Sequence, residues 1–136
     1  MRRNNIKYIH DSNQNLLAIL IPIECDSSSG ISFLTENEIF QQVATMNHNK
    51  GYEIQPHYHN QIKRTVDYTC ETLVIRKGIL KVHLYENMNE ICTFDIHAGD
   101  ILSLFSGGHG FTVLEDVEMI EIKQGPYIGT ADKTRF

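Results

Sequence analysis

Residues 71–86 read "ETLVIRKGILKVHLYE", two runs rich in Thr, Val, Ile, Leu and Tyr that meet at Gly78. β-Branched and aromatic side chains suit a pleated backbone, and a glycine between two such runs marks a tight turn, so a β-hairpin is expected here. Side chains alternate across a strand. Leu80, Val82 and Leu84 therefore share one side of the second run, and Lys81, His83 and Tyr85 the other. The apolar set is expected to face a core.

The same grammar extends in both directions. Strands are expected at 6–9, 16–23, 39–46, 52–59, 71–76, 79–85, 91–96, 101–105, 109–114 and 117–123, separated by turn-rich stretches such as "NHNKG", "ENMNE", "HAGD" and "LED". "DSSSG" at 26–30 reads as a loop, and only "LTENEIF" at 34–40 suggests a helical turn. Many short strands at near-regular spacing predict an all-β sandwich or barrel. No repeat or linker divides the 136 residues, so 1–136 is expected to be one domain, long enough to bury about two thirds of its unfolded surface.

A net charge of −5 with scattered Lys and Arg argues against nucleic acid as a partner, because such affinity rests on clustered basic residues. "MRRNN" is followed by "IKYIH" rather than an apolar run, which makes a poor signal peptide. The longest apolar run, "LLAILIPI" at 16–23, is far shorter than a membrane helix. A cytoplasmic protein with no membrane partner is the expectation. Cys25, Cys70 and Cys92 fit no CxxC or CxxH pattern, so free, partly buried thiols are expected.

"GYEIQPHYHN", residues 51–60, holds the chemistry-bearing pattern. On a strand, His57 and His59 would project to one face about 7 Å apart at the backbone, a gap that their side chains can close onto one ion. Alone, HxH is weak evidence for a metal. Further on, Glu71 precedes Gly78, and Gly99-Asp100 leads into "ILSLFSGGHG" with His109.

This series, over residues 40–123, resembles the two sequence motifs of the cupin superfamily. The resemblance implies a cupin-type jelly-roll β-barrel with an added N-terminal hairpin at 6–23, a barrel core at 40–123 and a C-terminal tail at 124–136. It also implies a divalent metal held by His57, His59, Glu71 and His109. The sequence departs from the family pattern in several places. Eleven residues separate His59 from Glu71, more than the family's usual spacing, so "NQIKRTVDYTC" looks like an inserted loop. Phe105 stands where Pro is typical, and Val113 where Asn is.

Three imidazoles and a carboxylate form a mixed N/O donor set that suits Fe, Mn, Ni, Co, Cu or Zn, and octahedral geometry would leave two positions open. Such a site permits Lewis-acid activation of a substrate oxygen, or oxygen chemistry with iron.

Arg64, in the inserted loop, is the candidate substrate-binding residue, since Arg can clamp a carboxylate or phosphate; a solvated loop charge is the other reading. His10, His48, His83 and His97 are expected to be solvated or structural. "GGHGF" lacks the strand-to-helix setting and the Lys of a phosphate loop, and its glycines are expected to aim His109 inward. No nucleophile elbow supports a hydrolase triad. The tail "KQGPYIGTADKTRF" is expected to dock on the barrel or on a second subunit.

By resemblance the chain looks like an uncharacterised bacterial cupin group, some of whose members accompany surface-polysaccharide or sugar-nucleotide genes. A metal-dependent enzyme acting on a small-molecule ligand, such as a dioxygenase, isomerase or epimerase, is one expectation. A non-catalytic carbohydrate-binding or sensor module is another, and a purely structural metal is a third. A homodimer is expected for a barrel this small.

Overall fold

The computed structural model describes residues 5–136. Among them the strands are β1 (Lys7–His10), β2 (Leu16–Ile21), β3 (Gly30–Phe33), β4 (Ala44–Asn47), β5 (Glu71–Lys77), β6 (Ile79–Glu86), β7 (Asn89–His97), β8 (Ile101–Leu104), β9 (Gly108–Val113) and β10 (Glu118–Lys123). A short 3-10 helix, Gly129–Asp132, lies in the tail. Every strand pair is antiparallel. The fold is all-β, as expected.

The strands form a five-stranded sheet, β1-β2-β8-β5-β10, a three-stranded sheet, β7-β6-β9, and a two-stranded ribbon, β3-β4. No sheet closes into a barrel among the described residues. The expected N-terminal hairpin is present as β1 and β2, joined to the larger sheet through β8. No helix among the described residues is long and apolar enough to cross a membrane.

"ETLVIRKGILKVHLYE" is not a hairpin. β5 pairs with β8 and β10 in one sheet, whereas β6 pairs with β7 and β9 in the other, so neither has an edge left for its neighbour in sequence. Gly78 turns the chain from one sheet into the other. Its φ of +83° lies in the left-handed region, and a Cβ there would stand 2.1 Å from the Asp116 carbonyl oxygen. Only glycine combines that conformation with that approach.

The inner faces of the two large sheets close on one core. Leu80, Val82 and Leu84 of β6 meet Leu73 and Ile75 of β5, Leu102 and Leu104 of β8, and Ala18 and Leu20 of β2. The alternation read from 79–86 is thus observed, with Lys81, His83 and Tyr85 on the outer side. β2 is apolar throughout because both of its faces are covered. Ile19 and Ile21 point the other way, into a second cluster with Cys70 and Phe105 against which Leu34, Phe40 and Val43 pack. All three cysteines are free, and burial pushes the Cys70 and Cys92 thiols up.

The expectation of a strand at 52–59 is not met. Residues 51–68 are all exposed and contain no strand. The sequence alternates, with Tyr52, Ile54 and Tyr58 in one set and Gln55, His57 and His59 in the other. A strand, however, also requires a hydrogen-bonded partner, and no strand among the described residues pairs with it. The sequence reading also had no strand at β3, which follows "DSSS" and pairs only with β4.

Candidate functional site

Glu71 and His109 face each other across the two sheets. Glu71 opens β5 and lies opposite Leu104 of β8, whose side chain belongs to the inner core. His109 is the second residue of β9 and lies opposite Leu84 of β6, so it projects inward as well. His109 Nε2 and Glu71 Oε2 are 3.2 Å apart. Glu71 is 5% exposed, while the His109 side chain is 30% exposed. The carboxylate is the floor of the site, and the imidazole is its open wall.

The hydrogen bond from His109 holds the Glu71 carboxyl below the usual carboxylate range, against the opposing effect of burial. The charge of His109, a hydrogen bond with Glu121 and the charge of Lys133 add in the same direction. Around this pair, Lys123 lies 3.9 Å from Glu121 and 4.0 Å from Asp132, and Thr69 Oγ1 donates to Asp132 Oδ1 at 2.6 Å. A cavity of about 430 Å³ adjoins these residues, lined by Tyr68, Thr69, Lys123, Gln124, Tyr127 and Asp132 among others. The tail continues past the pair to the outer face of β9. There the Phe136 ring meets Tyr85 edge-on at 5.2 Å, and it comes within 3.0 Å of where a Cβ on Gly108 would be.

His57 and His59 form a second pair, with ring centroids 5.4 Å apart and His57 Nδ1 2.8 Å from the Gln55 carbonyl. Both are exposed. Among the described residues no three His, Cys, Asp or Glu side chains gather closely enough to hold a metal ion. Within one chain the four expected ligands therefore stand as two separate pairs. Arg64 is exposed in the same 51–68 segment and makes no hydrogen bond or ion pair among the described residues.

The fit to a metal is partial. Donor atoms 3.2 Å apart have the separation of neighbouring ligands around a divalent ion with bonds of about 2.1 Å. Glu71 and His109 suit such an ion as adjacent ligands. His57 and His59 carry the right donors but stand elsewhere.

The other histidines behave structurally. His83 bridges Glu90 at 2.7 Å and Thr112 at 2.9 Å on the outer face of the smaller sheet. His97 lies 3.8 Å from Asp100, whose carboxylate accepts hydrogen bonds from the backbone of Ile23 and His97. His48 stacks on Tyr52 at 4.2 Å.

Sequence reasoning missed Glu121, Lys123, Asp132 and Lys133. In "EMIEIK" the isoleucines suggest a buried face, yet Glu121 lies opposite Leu73 and Lys123 opposite Glu71, on the inner side. Ile120 and Ile122 are 46% and 54% exposed. The alternation was visible, but its polarity is the reverse of the usual one.

Comparison of the chain with protein-family models, curated proteins and solved structures finds no match.

Proposed function

We propose that this chain is a divalent-metal-binding protein of the cupin type, with His57, His59, Glu71 and His109 as ligands and its sheets arranged as an open jelly roll. In this reading it is a cytoplasmic enzyme acting on a small polar substrate, such as a sugar derivative or carboxylic acid, in surface-polysaccharide or sugar-nucleotide metabolism. The observation that supports it best is the Glu71–His109 pair, a buried carboxylate and a half-open imidazole aligned at ligand spacing where two sheets meet.

A bound divalent ion would supply Lewis-acid polarisation of a substrate oxygen. The chain's own groups would do the rest. Lys123 and Lys133 place positive charge beside the pair and would draw an anionic group toward it. The adjoining cavity offers Tyr68 and Tyr127 as flat walls for a ring and Thr69, Gln124 and Asp132 as hydrogen-bonding groups. Arg64 would act on the substrate only if its segment came to the site.

Metal analysis of the purified chain tests this reading. Wild type should carry a divalent ion, and Glu71→Gln and His109→Ala should each lose most of it together with turnover. Unchanged metal content in both variants would overturn the assignment. The cavity, whose lining includes neither Glu71 nor His109, favours a second reading as a binding module. That reading expects sugar nucleotides or carboxylic acids to raise the melting temperature without being consumed.

A further inference from the structure

Two features of the molecule lack what the other provides. β9 is an edge strand of the smaller sheet, and its outer side has no partner among the described residues. Natural edge strands are commonly guarded by charges, prolines or bulges that prevent another strand from adding. Apart from the uncharged ribbon β3-β4, the other outer strands carry charge, with Lys7 on β1, Glu90 and Asp95 on β7, and Glu118, Glu121 and Lys123 on β10. β9, "GHGFTV", has no Lys, Arg, Asp, Glu or Pro and no irregularity in its register with β6.

The second feature is the segment 52–59. It is exposed and irregular, its sequence alternates as a strand does, and no backbone hydrogen bond joins residues 53–59 to a strand among the described residues. Its apolar side presents Tyr52, Ile54 and Tyr58, the last 86% exposed. So much aromatic and aliphatic surface held in water is the mark of an interface.

We propose that residues 52–59 of a second copy of this chain add as a strand to the free edge of β9 and carry its His57 and His59 to the Glu71–His109 pair. The exchange is reciprocal, so that two copies form a closed two-fold dimer with a complete four-ligand site in each half. The faces agree with this pairing. With the histidines turned inward beside His109, Tyr58 and Ile54 fall on the outer face, where the Tyr85–Phe136 pair offers aromatic surface for cross-strand packing. The charges agree too. Residues 55–64 carry His57, His59, Lys63 and Arg64 with no acidic residue, and the carboxylates around the site, Glu71, Glu121 and Asp132, outnumber its lysines, Lys123 and Lys133. Arg64 would then reach the partner's site and not its own. The metal content of this inference rests on the proposed function, whereas the strand exchange does not.

Light scattering of the full chain should give a dimer at micromolar concentration, with amides 52–59 exchanging about 100-fold or more slower than an unstructured peptide. A monomer, or a dimer whose 52–59 amides exchange freely, overturns the proposal. Tyr58→Asp, at a position exposed in the single chain, should yield a folded monomer with low metal content.

Co-expression of His57→Ala/His59→Ala with Glu71→Gln/His109→Ala, each metal-free alone, provides the decisive arm. Random pairing makes half of the dimers mixed, each with one intact site, so metal should return to about a quarter of the wild-type content per chain. Metal-binding wild type with no recovery in the mixture places all four ligands in one chain and overturns the exchange. Should wild type hold no metal, the functional reading fails, and the dimer and exchange measurements alone decide this inference.

Discussion

His57 and His59 are two residues apart in the chain, and Glu71 and His109 are thirty-eight, yet it is the distant pair that the fold fixes. Glu71 and His109 each sit on a strand held by neighbours, with Leu73 and Leu84 packed beside them, so their side chains have one direction to take. The near pair lies on a backbone with the right alternation and no ladder. Sequence proximity sets which side chains share a face, and only a neighbouring strand determines where that face points.

The sharpest way to break this comparison is at the corner that sets the two sheets against each other. Gly78→Ala should cost about 2–4 kcal/mol, from the left-handed backbone and the collision with Asp116, and should lower the urea midpoint accordingly. A loss below about 0.5 kcal/mol would show that the corner can shift. Next comes Glu71→Gln, which weakens the hydrogen bond that His109 makes to a buried carboxylate. About 1–3 kcal/mol should be lost from the metal-free protein.

The same pair predicts a pH dependence. Because the folded Glu71 carboxyl lies below its unfolded value, its contribution is complete above the ordinary carboxylate range and is lost as pH falls through the lowered native value. The stability gap between wild type and Glu71→Gln should therefore be full above the ordinary carboxylate range and narrow as the pH falls below it. A gap that widened on acidification would contradict the pairing.

The smallest effect belongs to the other pair. His57→Ala/His59→Ala should change metal-free stability by less than about 0.5 kcal/mol, since both rings are exposed in the single chain. The contrast with Glu71→Gln, measured in one urea series, tests directly whether one pair is built into the fold and the other merely attached to it.

Much of this was legible in the sequence. The inward side of β6 followed from period-two alternation, and the all-β class followed from short apolar runs between turn residues. The corner at Gly78 was not legible, because a glycine between two strands serves a hairpin and a change of sheet equally well. What decides is that β8 and β10 occupy both edges of β5, and those strands lie far along the chain. The inward face of β10 was hidden for a related reason. Glu121 and Lys123 are turned to the inner side by Glu71 and Asp132, while Ile120 and Ile122 lie exposed on the opposite face, whose covered part is at β2. In the candidate site, residue types could be named from motif spacing, but their assembly depends on strand pairing that no local pattern encodes.

β2 has a consequence for how the protein is made. Its hexapeptide "LLAILI" is apolar on both faces, and its partner β8 begins at Ile101, eighty residues after β2 ends. During synthesis only β1 is at hand to pair with it, so one of the stickiest segments of the chain waits uncovered while most of the polypeptide is still being added. Folding should accordingly be slow, on the order of milliseconds to seconds, as in other proteins dominated by distant strand pairs. The nascent chain up to about residue 100 is then the form most in need of a chaperone.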